Sequence, residues 1–241
     1  MGNTYFRFKQ FIVHQEKCAI KVCTDACVLG AYISSKEKYF SNDETSILDI
    51  GTGTGLLSLM IAQKVKGNID AVEIDEKAYE QAQENFKNSE WQTRLSVSHA
   101  DIMQFDFNKK YNLIVSNPPF FAESLKSSSK QKNLAKHTTS LPYSALAVIV
   151  YNNLINNGKF YILLPCKEFN IFEKTALKNR LSLLEKLNIR QNEDSDYFRT
   201  IGVFSNETYP TETEQLLTIK DKTDTYTENF SKLLKDYYLY L

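Results

Sequence analysis

Along this chain, short apolar runs alternate with longer stretches in which apolar residues recur every three or four positions. The runs Ser46 to Ile50, Ile69 to Glu73, Leu95 to His99, Tyr111 to Ser116 and Lys159 to Leu164 read as strands. Leu56 to Lys66, Glu76 to Asn88 and Lys167 to Lys178 read as helices. So does a segment entered at Ser140 and Pro142, running through Leu154 or Ile155 and stopped by Asn156-Asn157-Gly158. Strands that are apolar almost throughout are buried on both faces, so the pattern predicts an α/β fold with a mostly parallel sheet between helical layers. Leu181 to Ile189 and Thr200 to Ser205 predict a terminal antiparallel pair. Phe230, Leu233, Leu234, Tyr237, Tyr238 and Leu241 fall on one face of a last helix, which is expected to dock on the domain.

The 241 residues suit one structural domain, with 1–45 as an N-terminal segment before the first core strand and 46–241 as the main body. An apolar fraction of 42% and an aromatic fraction of 12% exclude a disordered chain. Formal net charge is zero, which argues against an indiscriminate grip on nucleic acid and leaves locally charged or shape-selective binding. No stretch approaches the roughly 20 apolar residues of a membrane span, and the opening residues have no long apolar core, so a cytoplasmic location is expected. Gly2 does not begin a myristoylation signal, because Phe6 stands where Ser or Thr is needed. Cys18, Cys23, Cys27 and Cys166 are too few and too uneven for a disulfide framework. Cys23 and Cys27 have a spacing that zinc could use, but no second Cys or His pair completes a site and His14 is isolated, so no metal is expected.

Chemistry concentrates at predicted strand ends. Asp49-x-Gly51-x-Gly53-x-Gly55 bends the first core strand into a helix, and its missing side chains let a ligand lie against bare backbone. A dinucleotide fingerprint needs glycine three residues after Gly53, where Leu56 stands, so NAD is disfavoured. Glu73 ends the second core strand and can accept from both hydroxyls of a ribose. Asp101 follows the third and can accept from an adenine amino group. After the fourth comes Asn117-Pro118-Pro119-Phe120, where two prolines forbid continued helix or a central ladder position. That turn offers the Asn117 amide oxygen, the Pro118 carbonyl and the flat face of Phe120, the features needed to hold an exocyclic amine on a ring.

In order and spacing these elements resemble the class I S-adenosylmethionine-dependent methyltransferases. The resemblance implies a Rossmann-like, mostly parallel seven-stranded sheet whose terminal antiparallel pair sets it apart from a simple nucleotide-binding fold. It also implies S-adenosyl-L-methionine as cofactor, crossing the carboxyl edge of the sheet. Asn-Pro-Pro-aromatic is similar to the motif of enzymes that methylate exocyclic or amide nitrogens, including adenine-N6 enzymes and those acting on a glutamine of release factors. Phe6-Arg7-Phe8-Lys9-Gln10-Phe11, His14 and the stretch from Cys18 to Ala31 narrow the likeness, and His137-Thr138-Thr139 and the aromatic tail extend it over essentially the whole chain. They resemble the tRNA adenine-N6 methyltransferases acting on position 37 of valine tRNA. That likeness implies a tRNA substrate, no obligate protein partner, and a lid in which Thr24 and Asp25 close over the methionine end of the cofactor. The same two residues equally suit an N-cap pair for a helix over Ala26 to Ile33. Cys23 stands where glycine is expected before Thr-Asp, and Ala26-Cys27 replaces a second small pair. A differently set lid follows if a glycine there takes a positive φ.

Lys126, Lys130, Lys132, Lys136 and His137 form a basic run just past the catalytic turn, suited to phosphates around a flipped base or to a solvated connector. Arg7 and Lys9, among Phe6, Phe8 and Phe11, fit either RNA contact or simple packing. Two other functions remain open on sequence. A protein-glutamine N5 methyltransferase poses the same lone-pair problem, although such enzymes usually carry a separate helical N-terminal domain. A non-catalytic, methyltransferase-like binding protein is expected to have lost Asn117 or the glycine turn, and both are intact.

Overall fold

The computed structural model describes residues 3–39, 42–119, 141–208 and 212–241. A two-stranded antiparallel hairpin, β1 (Tyr5–Arg7) and β2 (Ile12–His14), precedes α1 (Thr24–Glu37). The main body continues with β3 (Ser46–Ile50), α2 (Leu56–Ala62), β4 (Asn68–Glu73), α3 (Glu76–Lys87), β5 (Leu95–His99) and β6 (Tyr111–Ser116). It is completed by α4 (Tyr143–Asn153), β7 (Leu154–Pro165), α5 (Cys166–Lys178), β8 (Ser182–Arg190), β9 (Tyr197–Ser205), β10 (Thr213–Thr218) and α6 (Glu228–Leu234).

The strands order as β10-β8-β9-β7-β6-β3-β4-β5, eight among the described residues where seven were expected. The addition is β10, which pairs in parallel with β8 at the edge. Within this sheet β9 is antiparallel to both its neighbours and every other described pairing is parallel. The predicted antiparallel pair is therefore present as β8 and β9. Its consequence for the site is directional: the amino end of β9 lies at the edge where the other strands have their carboxyl ends.

The alternation of side chains along each strand divides the core in two. Ile47, Leu113, Val115, Tyr161 and Leu163 join one cluster with α1, α2 and the hairpin residues Phe8, Phe11 and Val13. Their strand neighbours Leu48, Ile114, Phe160, Ile162 and Leu164 join the other, against Leu146, Ala147 and Val150 of α4 and Phe169, Phe172 and Ala176 of α5. Both faces are covered, as the unbroken apolar strands require.

Three expected boundaries move. The second helix ends at Ala62 rather than Lys66 because Arg94 takes over the final carbonyls, donating to Ala62 O, to Val65 O at 3.0 Å and to Gly67 O at 2.9 Å. The helix expected to reach Leu154 or Ile155 ends at Asn153, and Leu154 already pairs with Tyr111 in the sheet. Asn156-Asn157-Gly158 thus lies inside β7, where the register shifts and Asn157 takes φ 61°. The last helix covers only Glu228–Leu234. Beyond it the carbonyls are diverted, Lys235 O to Lys9 Nζ (2.5 Å), Asp236 O to Gln63 Nε2 (2.8 Å) and Tyr237 O to Lys9 N (2.8 Å). Tyr237 is buried, whereas Leu241, expected on the docking face, is exposed.

Candidate active site

Parallel register brings the strand-end residues together. Ile50 pairs with Val72 on one side and Ser116 on the other, and Glu73 pairs with His99, so Gly51, Glu73, Asp101 and Asn117 all lie just past or at one edge of adjacent strands. The chain leaves β3 through a turn in which Gly51, Gly53 and Gly55 take φ of +72°, +58° and +81°. The glycines differ in what surrounds them. A Cβ on Gly55 would meet Phe86 Cε1 at 2.5 Å, so this glycine is needed for packing against α3. A Cβ on Gly51 or Gly53 would meet nothing within 4 Å, so the turn has open space on that side.

Asp49 is fully buried and turns beneath this loop. Its Oδ2 accepts from Thr52 Oγ1 and Ser58 Oγ, both at 2.7 Å, while Oδ1 is buried without a hydrogen-bond partner among the described residues. Burial pushes its pKa up to about 6, the nearby Glu73 charge adds to that, and the two hydroxyl donors oppose it. Glu73, also buried, accepts from Gly53 N through Oε2 (2.8 Å) and from Asp75 N through Oε1 (2.9 Å). Each carboxylate oxygen can accept more than one bond, so these contacts fix the carboxylate without exhausting it. Asp101 Oδ1 accepts from Met103 N at 2.9 Å in a local turn, a bond that leaves its second oxygen uncommitted.

Asn117 follows β6 directly, and its Oδ1 is buried without a hydrogen-bond partner among the described residues. Orphaned buried acceptors are rare in folded proteins, and two of them, on Asn117 and Asp49, border one strand edge. An N–H donor reaching the strand edge would satisfy the acceptor on Asn117, whereas that on Asp49 lies beneath the turn. Pro118 is half-buried beside Asn117. Phe120, Lys126, Lys130, Lys132, Lys136 and His137 lie outside the described residues.

Thr24 and Asp25 open α1 but are not its N-cap. That place belongs to Cys23, at φ −130° and ψ 155°, with no side-chain capping bond. These angles suit any residue, so the cysteine in place of glycine introduces no backbone strain. Burial pushes the Cys23 thiol up to about 12 and the Cys27 thiol likewise, which makes both poor nucleophiles. Asp25 is buried and paired with Arg199, whose Nε donates to Oδ2 at 2.7 Å.

The N-terminal aromatics pack rather than project. Phe8 stacks on Phe11 at 4.5 Å, Phe11 meets Trp91 edge-on, and Phe6 and Phe8 contact Tyr238. Lys9 is tied to the residues after α6, and Arg7 is exposed. The structure does not bring either of them into the strand-edge site through a described bond.

Sequence reasoning missed Asn85 and Arg199, and placed Tyr238 only on the packing face of the last helix. Asn85 is buried and bridges His14 O and Thr54 O, both at 2.8 Å, locking the hairpin to the glycine turn. A buried polar residue on an otherwise amphipathic helix was the available signal for Asn85. Ile74, exposed beside Glu73, supplies an apolar surface at the site's rim.

Residues 36–163 match the family model described as methyltransferase small domain. The chain is 41% identical over 241 residues to a tRNA1(Val) (adenine(37)-N6)-methyltransferase of Dyadobacter fermentans, with 98% of both chains covered. It is 39% identical over 237 residues to the protein of the same name from Flavobacterium psychrophilum, covering 97% of this chain and 99% of that one. Among solved structures, a predicted O-methyltransferase of Agrobacterium tumefaciens aligns with a TM-score of 0.67 at 14% identity, over 88% of this chain and 96% of the other. An S-adenosylmethionine-dependent methyltransferase of Clostridium acetobutylicum aligns at 0.52 and 15% identity, over 78% and 92%. At those identities the structural likeness concerns fold alone.

Proposed function

The chain belongs to the tRNA1(Val) (adenine(37)-N6)-methyltransferase family, and we propose on that basis that it transfers a methyl group from S-adenosyl-L-methionine to N6 of adenine 37 in valine tRNA. The observation that carries the reading at the level of chemistry is the orphaned Asn117 Oδ1, held at the carboxyl end of β6 one strand from the glycine turn.

The cofactor fits the residues present. Gly51 and Gly53 leave backbone open to it, Glu73 can accept from its ribose hydroxyls, and Asp101 can accept from its adenine amine. Asp49, bonded to Thr52 and Ser58, braces the turn from below. Gly55 keeps α3 close, and Thr24 and Asp25 cover the methionine end. When bound, S-adenosylmethionine supplies an electrophilic methyl group on a sulfonium.

The N6 lone pair of adenine is delocalised into the ring and is a weak nucleophile until the nitrogen becomes more tetrahedral. Asn117 Oδ1 and the Pro118 carbonyl accept the two amine hydrogens and favour that geometry, and the bonds strengthen as positive charge develops on nitrogen. Phe120 stacks on the base and fixes its approach. The amine proton becomes acidic only after transfer, so no general base is needed beforehand. Arg7 and the lysines at 126, 130, 132 and 136 are proposed to meet RNA phosphates. Lys9 contributes less, being engaged with Lys235. No helix among the described residues is long and apolar enough to cross a membrane, consistent with action on tRNA in the cytoplasm.

Nucleoside mass spectrometry of purified tRNA incubated with the protein and S-adenosylmethionine tests this. N6-methyladenosine at position 37 of valine tRNA is expected. Methylation at another position, or no methylated nucleoside at all, would replace the reading.

A further inference from the structure

Resting on the cofactor reading above, we propose that Arg199 and Tyr238 are positioning residues that hold Thr24 and Asp25 in the arrangement S-adenosylmethionine requires. The first turn of α1 has no side-chain cap, because Cys23 provides none. An uncapped helix start is prone to fray, and ordering it on ligand binding costs affinity. Here the order comes from two segments distant in sequence.

One anchor is the ion pair. Asp25 is only 6% exposed, and burying a charged group is costly unless it is paired and hydrogen-bonded. Arg199 donates to it from a position opposite Pro165, the last residue of β7. The reversed direction of β9 therefore delivers this arginine to the same edge as Asn117. Its guanidinium is fixed by a second bond, Nη1 to Phe198 O at 3.1 Å. The Asp25 carboxylate also takes Ala26 N (3.1 Å), so the helix start and the arginine meet on one group.

The other anchor is Tyr238, beyond α6. Its ring sits 5.9, 6.1 and 6.3 Å from those of Phe6, Phe8 and Phe230, and its hydroxyl lies beside Thr24 and Cys27. The hairpin, the last helix and the first turn of α1 converge on this one side chain. Neither Arg199 nor Tyr238 need touch the cofactor. Their effect is to present Thr24 and Asp25 already in place.

Calorimetric titration of the full chain with S-adenosylmethionine, paired with single-turnover methylation and thermal unfolding, tests the proposal. Arg199→Gln should weaken cofactor binding by about tenfold or more, as expected for loss of a charged hydrogen bond. Tyr238→Phe keeps the ring packing and should weaken it by roughly threefold to tenfold. Arg199→Lys retains charge but not the planar fork, and should fall between parent and Arg199→Gln. The turnover rate at saturating cofactor should stay within about twofold of the parent for Tyr238→Phe, since uniform binding is what is lost.

Folded variants that bind the cofactor as the parent does, even with a lowered melting temperature, would show a purely structural role and overturn the proposal. If Arg199→Gln does not fold, Tyr238→Phe decides alone. A parent that binds no S-adenosylmethionine would overturn the cofactor reading and this proposal together, whereas a binding parent with unaffected variants removes only the positioning role.

Discussion

Gly53 N donates to Glu73 Oε2 at 2.8 Å, so the carboxylate that can hold a ribose also holds the turn proposed to carry the rest of the cofactor. Removing it affects both. Glu73→Ala should weaken S-adenosylmethionine binding by about tenfold or more, since hydrogen bonds to charged groups contribute roughly 1.5 to 3 kcal/mol each. It should also lower the melting temperature by freeing the Gly53 and Asp75 amides. Calorimetry and thermal unfolding check the two effects separately, and unchanged affinity in a folded variant would remove Glu73 from the site.

Asn117 should behave in the opposite way. Its Oδ1 has lost water without gaining a described partner, so Asn117→Ala is expected to leave stability unchanged or raise it by about 1 kcal/mol. Turnover should drop about 100-fold or more while cofactor affinity is largely retained. Single-turnover kinetics beside a melting curve measures the divergence, and near-normal methylation would contradict the acceptor role.

The glycines of the turn should separate folding from binding. Gly55→Ala places a methyl group against Phe86 and imposes a positive φ on alanine, so it should destabilise the fold strongly. Gly53→Ala meets no neighbour and bears only the backbone strain, about 1 kcal/mol. Its methyl occupies space proposed for the cofactor, so binding should suffer far more than stability. Melting temperatures and cofactor titrations of the two variants should rank in opposite orders.

Asp49 gives a pH signature. Its pKa is raised from 3.8 to about 6 by burial, so between those values the native state holds a proton that the unfolded chain has released. The unfolding free energy therefore falls as pH rises through that window, and above it the full penalty is on the order of 3 kcal/mol. Asp49→Asn removes the dependence. Relative to the parent, the variant should gain stability as pH increases from about 4 to about 7. A parent-minus-variant difference that stays constant over that range would show that Asp49 is not the titrating group.

How much of this was legible in the sequence depended on the range of the interactions. Asp49, the glycines, Glu73, Asp101 and Asn117 announce themselves because each sits at a strand end, and the strand pattern is local. The neighbours of Asp25 could not be read, because Arg199 reaches it across 174 residues and an antiparallel strand that reverses which end faces the site. β10 escaped notice because Thr213–Thr218 has only one buried residue, Leu217, and pairs on one side alone. The strand start at Leu154 was hidden for another reason: leucine and isoleucine continue an apolar helix as readily as they begin a buried strand. The expected helix through Leu241 failed because Lys9 and Gln63, remote in sequence, capture the carbonyls it needed.

The bond from Lys9 N to Tyr237 O has a bearing on how the enzyme is made. A ribosome delivers Lys9 first and Tyr237 only after nearly all of the sheet, and contacts of such wide separation form late. The hairpin's aromatics and the opening turn of α1 must therefore wait for Tyr238 before settling. A nascent chain that has already assembled β3 to β7 would carry a glycine turn and Asn117 but an unanchored Thr24. Cofactor affinity should then rise late, with β9 bringing Arg199 and the segment after α6 bringing Tyr238, rather than with the glycine turn alone.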